Sequence, residues 1–458
     1  MALLLGYVGV LLAKALFIRS HQEKSTKDET TAKFMQYRLD IAQRLSEAIK
    51  CKTISYDRHG DQSTDYNELK KLRALIEKSY PLVNSRLEKR IINDYSIVYI
   101  WRGTDSSLLP ALVSPAMFCA HMDVVPTPDL HKWEKDPFAG EIVDEVIWGR
   151  GAIDDKQSVM GLLEVLEAAL KEGWQPKRTV YLALGHDEEI SGHDGAQQIA
   201  KAFAEENIQF EFCLDEGLFL LDGIFPGISS GPVAAVCVAE KGYSVVKLST
   251  DMETGHSSSP PSESALGVLA AAVSNLEKQP LAPTMTPQSA AMFSTLAPHM
   301  SWPLRLLAAN INRGPIGWLV AKSMARNSRT ATTVRTTTAV TVFRSGSKVN
   351  VVPGSAEAYV NHRILPNQTV NEILELDRTI VQDDRVKLEV IDSLEASPIS
   401  SIHSVGYKAI ATAVRSIWPN AVVAPSLMVG NTDTRHYLKL CKDVYRFCPT
   451  YMRPNDVA

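Results

Sequence analysis

The stretch "FCAHMD" sets His121 and Asp123 two residues apart at the end of an apolar run that reads as a buried strand. Neutral imidazole is a common zinc ligand, and a carboxylate two positions along a strand lies on the same face, where it can orient the ring through its other nitrogen. Alone, such a pair more often marks a satisfied hydrogen bond. Three further segments repeat the arrangement. "GRGAIDDKQS" places Asp154 and Asp155 between a Gly-rich loop and a helix start, where a carboxylate can also cap the helix, the local role expected of Asp155. "GHDEEISG" delivers Asp187, Glu188 and Glu189 directly after "TVYLALG", and "CLDEG" delivers Asp215 and Glu216 after "FEF". Adjacent carboxylates at the end of a buried strand repel one another and resist desolvation unless cations or donors compensate. A solvated acidic loop accounts for any one of these segments. Four successive strand ends that supply acid or imidazole point instead to metal chemistry, because open α/β sheets gather their sites at the carboxyl ends of strands.

The elements that must carry these groups are legible as alternating patterns. From about residue 96, strand-like runs ("YSIVYIW", "AMFCA", "TVYLALG", "FEFCLD", "AAVCVAE") alternate with helical ones ("SVMGLLEVLEAALKEG", "GAQQIAKAFAEEN"). That alternation predicts an α/β fold, a sheet flanked by helices. Near 240 the rhythm changes to strand, Ser/Pro-rich loop, amphipathic helix, a long Pro/Met/Asn-containing stretch and two more strands. This predicts a smaller α+β lid domain at 241–365, inserted in a catalytic domain made of 33–240 and 366–458. Residues 20–32 read as a polar linker, followed by Phe34, Ile41, Leu45 and Ile49 at helical spacing.

Composition limits the partners. With 45% hydrophobic and 22% charged residues over 458 positions, the chain is an ordinary globular one rather than a disordered one. A net charge of −4 and no basic run exclude a nucleic-acid footprint and favour a small or peptide-like substrate. The six cysteines form no CxxC pair and sit mostly in apolar runs, which predicts buried thiols. The N-terminus has no charge from Ala2 to Ala13, a run shorter than the ~20 residues that span a bilayer comfortably. It reads as a secretory signal at 1–20, with Ala13-Lys14-Ala15 as a small-x-small cleavage site, or as an uncleaved membrane anchor. The sequon Asn367-Gln368-Thr369 is compatible with that route. The chain is therefore expected in the secretory pathway, extracellular if the N-terminus is cleaved.

Taken together, "AHMDVVP", "WGRGAIDDKQSVMG", "GHDEEISG..GA", "LDEG", "GHSSSPP", "KVNVVPGSAEAYVNHRILP" and "GNTDTRHY" resemble, in that order over roughly residues 35–455, the dinuclear zinc aminoacylase and carboxypeptidase superfamily. The branch is that of carboxypeptidase S and the secreted N-fatty-acyl-amino-acid synthase/hydrolase. The resemblance implies a zinc-exopeptidase-like catalytic domain with two zinc ions per chain. Asp154 would bridge them, His121 and Asp215 would complete one, and Glu189 would bind the other. Asp123 would orient His121, and Glu188 would be the general base that takes a proton from the attacking water and passes it to the leaving amine. His256 would be the lid histidine that donates to the developing oxyanion, in some members into the site of a partner subunit, so a homodimer is implied as well. Arg363 would anchor a substrate carboxylate, assisted by Asn350 and Asn361, and Gly430 to Arg435 would border the site.

The implied activity is hydrolysis, or in reverse formation, of the amide of an N-acyl amino acid or a small peptide with a free carboxylate. A dipeptidase or exopeptidase differs from this only in pocket shape. One departure weighs against it: this branch carries a further histidine near the C-terminus as last ligand of the Glu189 metal, and no histidine follows His436 here. His436 falls at an aromatic-or-histidine position of its motif and is not expected to be a ligand. The alternative expectation is therefore a truncated, catalytically impaired member that acts as a binding or decoy protein. The segment 281–332, with Met285, Met292, Phe293, Leu296, Trp302, Leu304, Leu307 and Trp318, is apolar enough either to line a lipid tunnel or to pack as core of the lid.

Overall fold

Runs of β-branched and aromatic residues need both faces covered, and in the computed structural model they form the centre of a layered α/β fold. It describes residues 2–22, 38–57, 60–104 and 114–457; most of the expected linker, and Phe34, lie outside them. In chain order the strands are β1 Glu88–Ile92, β2 Ser96–Trp101, β3 Ala116–His121, β4 Ile142–Val143, β5 Val146–Ile147, β6 Val180–Gly185, β7 Phe210–Leu221 and β8 Val233–Glu240. They continue as β9 Gly242–Asp251, β10 Gly255–His256, β11 Thr337–Ser345, β12 Val351–Val352, β13 Ser355–Ile364, β14 Lys387–Leu394, β15 Val422–Met428 and β16 Cys441–Met452.

Eight strands make one mixed sheet in the order β1-β2-β6-β3-β7-β16-β8-β15. β3 runs parallel to β6 and β7, and β7 parallel to β16. Their carboxyl ends therefore gather on one edge, the place where parallel sheets build sites. Alternate side chains fill opposite faces: Ile97, Tyr99 and Leu182 pack with Val159 and Leu163 of the helix Lys156–Lys171, whereas Val98, Tyr181 and Ala183 pack with Ile199 and Phe203 of the helix Ala196–Glu205. All six cysteines are free and buried.

The second sheet is antiparallel, β11-β13-β9-β14, with Val246, Leu248 and Val360 buried against Val268, Leu269 and Val381 of two helices. Its chain order is strand, helix, strand, strand, helix, strand, and the fourth strand is β14. The smaller domain thus runs on through Leu394, and the helix Val370–Val381 and β14, which the sequence pattern assigned to the resumed catalytic domain, belong to it. Helix and strand periodicity carries no record of which sheet a strand joins.

The segment 281–332 also departs from expectation. Met292 and Leu296 are buried against Val233, Val422 and Ala424, so the helix Pro287–Leu296 is core of the large sheet rather than of the lid. Trp302, Leu307 and Trp318 are exposed. The helix Ala2–Phe17 lies along Leu304–Ala309, where Arg305 Nε donates to the Ala15 carbonyl at 2.8 Å and Asn310 Nδ2 to the Leu11 carbonyl at 3.0 Å. Among the described residues no helix is long and apolar enough to cross a membrane.

Candidate metal centre

β3 ends on His121, which is buried with its Nε2 2.9 Å from Asp154 Oδ1 and 3.8 Å from Glu216 Oε1. Ligand atoms of His121, Asp154 and Glu216 all lie within 4.8 Å of one another. On the opposite side of the ring, Nδ1 is 3.3 Å from Asp123 Oδ1. Asp123 also accepts the backbone N–H groups of Glu188 at 3.1 Å and Glu189 at 3.2 Å, and so ties the end of β3 to the turn that follows β6.

Of the expected ligands, the structure brings His121 and Asp154 together. Asp215 does not join them; Glu216 takes the third place. Asp215 is buried, its Oδ1 accepts the Glu216 N–H at 2.9 Å, and its Oδ2 has no partner among the described residues. The register explains the swap. β7 pairs Asp215 with Arg446 and then Leu218 with Phe447, so Glu216 and Gly217 bulge from the ladder. A Cβ on Gly217 would sit 2.4 Å from the Arg446 carbonyl carbon, so only glycine permits this approach. Glu189 is likewise outside the trio, and its Oε1 accepts the Val125 N–H at 3.1 Å. Asp155 occupies the N-cap position of the helix Lys156–Lys171 but makes no capping bond; its Oδ2 faces the His121 N–H at 3.4 Å.

Electrostatics at this edge are unbalanced. Burial, opposed by the His121 charge and reinforced by Asp123, pushes Glu188 up to about 7. Burial pushes Glu189 up to about 8, and Asp155 up to about 7. Asp215 and Glu216 are raised well above the carboxylate range, again mainly by burial. Burial disfavours charge on His121, yet Asp123 and Asp154 hold its imidazole well above the usual value. One imidazolium cannot compensate so many carboxylates if they ionise, and the N,O,O donor set suits a divalent cation such as zinc, which would hold them in the charged form. The residues present fit that ion.

The remaining expected residues sit on the smaller domain. His256 is exposed on β10, with Nδ1 2.8 Å from Ser258 Oγ, and makes no hydrogen bond to the trio. Asn361 and Arg363, two positions apart on β13, share one face, and Arg363 Nη1 donates to Asn431 Oδ1 at 2.5 Å. Asn350 Oδ1 is buried without a partner among the described residues. His436 is half-buried with Nε2 2.8 Å from the Ser191 carbonyl, apart from the trio. Sequence reasoning placed Arg435 only at the rim, but its Nη2 lies 3.3 Å from Glu188 Oε1, with both side chains largely buried. Its only sequence signal was membership of "GNTDTRHY".

A two-domain α/β fold that gathers a His/Asp/Glu trio at one edge of its sheet, with His121 at the end of β3, Glu216 at the bulge of β7 and Asp154 in the loop before the helix Lys156–Lys171, and a buried carboxylate beside it, defines a metal-dependent hydrolase. Residues 117–456 match the model of Peptidase family M20/M25/M40. The chain belongs to that family of metallopeptidases. A Dictyostelium discoideum protein named Probable carboxypeptidase S-like 2 is 42% identical over 427 residues, 92% of this chain and 80% of its own length. The N-fatty-acyl-amino acid synthase/hydrolase PM20D1 of Xenopus tropicalis is 38% identical over 461 residues, 98% of this chain and 87% of its own. Among solved structures, human carnosine dipeptidase 1 shares the fold with a TM-score of 0.61 at 12% identity, covering 90% of this chain and 89% of its own. The M20 family metallo-carboxypeptidase Sso-CP2 of Sulfolobus solfataricus does so at 0.58 and 18%, covering 89% and 91%. None of these similarities supports a non-catalytic binding or decoy protein.

Proposed function

We propose that this chain hydrolyses, or in reverse forms, the amide bond of an N-acyl amino acid or a small peptide with a free carboxylate, using zinc. The observation that carries the reading is Glu188, a buried carboxylate fixed by Asp123 beside the trio of His121, Asp154 and Glu216. The relatives named carboxypeptidase and N-fatty-acyl-amino acid synthase/hydrolase support the substrate class.

His121, Asp154 and Glu216 would hold one ion. Asp154, its side chain 56% exposed, would with Glu189 hold a second. Cations held there would supply Lewis acidity toward an amide carbonyl and would acidify water. Glu188, poised near neutral pH, accepts a proton from the attacking water and returns it to the departing nitrogen as the C–N bond breaks. Arg363, with Asn350 and Asn361 as hydrogen-bonding neighbours, receives the substrate carboxylate. His256 donates to the developing oxyanion after the domains close, in its own subunit or in that of a homodimer partner. The apolar N-terminus directs the chain into the secretory pathway, as a cleaved signal or an anchor.

The test is elemental analysis of the purified chain together with a panel of N-acyl amino acids, for wild type and Glu188→Gln. Bound zinc with turnover, abolished in the variant while zinc content and folding persist, is the expected result. Turnover retained by Glu188→Gln, or a zinc-loaded wild type inert on the whole panel, overturns the reading.

A further inference from the structure

Beside Glu188 the structure assembles two guanidiniums around one dipeptide. Arg363 Nη1 donates to Asn431 Oδ1 at 2.5 Å, and Arg435 Nε donates to the Thr432 carbonyl at 2.9 Å. The Asn431 amide is oriented by its own Nδ2, which donates to the Lys241 carbonyl at 2.9 Å, so its oxygen is committed to Arg363. Tyr243, the register partner of Arg363 across β9 and β13, lies under that guanidinium with 5.8 Å between Cζ and the ring centroid. The two cations are close enough that Arg435, after burial, is the next influence lowering the affinity of Arg363 for its proton.

The charges do not balance. Among the described residues no carboxylate lies within ion-pair distance of Arg363, and Arg435 has only Glu188. The nearby Glu240 is already engaged by Arg446 and by the Thr432 N–H. Two guanidiniums withdrawn from water and close enough to repel, without a second anion, are costly, and a planar fork with free donors suits a carboxylate. Arg435 uses Nε and Nη2 and has no hydrogen-bond partner at Nη1 among the described residues.

We infer that Arg435 is the second arm of a two-guanidinium clamp for the free carboxylate of the substrate, and that in the ligand-free site this arm rests on Glu188. The inference rests on the proposed amide hydrolysis and deepens it. A monoanionic carboxylate between Arg363 and Arg435 completes the charge balance and draws Arg435 away from the base, so the group that identifies the substrate also frees the residue that acts on it. A neutral analogue leaves Arg435 on Glu188.

The experiment is calorimetric titration of the zinc-loaded protein with an N-acyl amino acid and with its primary amide, in wild type, Arg435→Gln and Arg435→Lys, alongside turnover of the acid. The preference for acid over amide should fall roughly 10- to 100-fold in Arg435→Gln, and Arg435→Lys, which keeps the charge but not the fork, should recover part of it. An unchanged preference in both variants overturns the clamp while leaving the proposed reaction standing. A wild type that neither binds nor turns over the acid overturns the proposed reaction itself. Should Arg435→Gln fail to fold, Arg435→Lys alone decides, because loss of the bidentate fork must still lower the preference.

Discussion

Asp123 Oδ1 accepts the backbone N–H of Glu188 at 3.1 Å while standing 3.3 Å from His121 Nδ1. One fully buried carboxylate thus sets both the orientation of the imidazole and the position of the base. Burial works against its charge, but His121 holds it below the usual carboxylate range, so it stays an acceptor. Asp123→Ala should weaken metal binding about 10- to 100-fold and also lower kcat in protein resaturated with zinc. Metal titration followed by assay at saturating zinc separates the two losses. Full kcat at saturation would remove the link to Glu188.

Glu216 and Asp215 are neighbours with opposite environments. Glu216→Gln should strip the ion held by His121 and Asp154, read as a fall in zinc per chain by elemental analysis. Asp215→Asn should retain zinc, because its Oδ1 is occupied by the Glu216 N–H and it stands outside the trio. The reverse pattern would restore the expectation drawn from the sequence.

Chelated protein should lose stability as pH rises. In the metal-free fold Glu188 is raised to about 7 and Glu189 to about 8, against about 4.3 in an unfolded chain. The folded state therefore binds more protons than the unfolded one between those values, and stability present at low pH is lost as pH passes through the folded pKa values. His121, raised above its usual value, contributes with the same sign. Each group adds a slope of at most ~1.4 kcal/mol per pH unit. Urea melts in chelator from about pH 5.5 to about 8.5 should show this decline, and saturating zinc should flatten it. A metal-free protein that gains stability over that range contradicts the assignment.

Arg446 and Glu240 are an internal ion pair at 3.2 Å, 0% and 2% exposed. Glu240 also accepts the Thr432 N–H at 2.5 Å, so the pair holds the loop that carries Arg435. Arg446→Met leaves a buried carboxylate without its cation and should cost about 3–5 kcal/mol. Denaturant unfolding at neutral pH measures it, and Glu240→Gln combined with Arg446→Met should recover part of the loss. A single variant within about 0.5 kcal/mol of wild type would show the pair to be dispensable.

Much of the site is written locally. His121 and Glu188 each follow an apolar run that folds as a strand and were legible as strand-end groups, as the α/β alternation was from the same runs; Asp154, counted with them, stands instead in the loop before the helix Lys156–Lys171. Whether Asp215 or Glu216 faces the ion is not local: a strand alternates its faces residue by residue, and the bulge that decides it is set by β16, more than 200 positions away in sequence and admitted by Gly217. The limit of the smaller domain at β14 rather than at residue 365 depends on pairing with β9, which periodicity does not record. Arg435 read only as the end of a loop bordering the site until the fold laid it against Glu188. The sequence by itself determined which groups stand at strand ends, because hydrophobic period and local motif are short-range. Only the tertiary structure decided which of them meet, because register, bulges and charge balance arise between segments far apart in the chain.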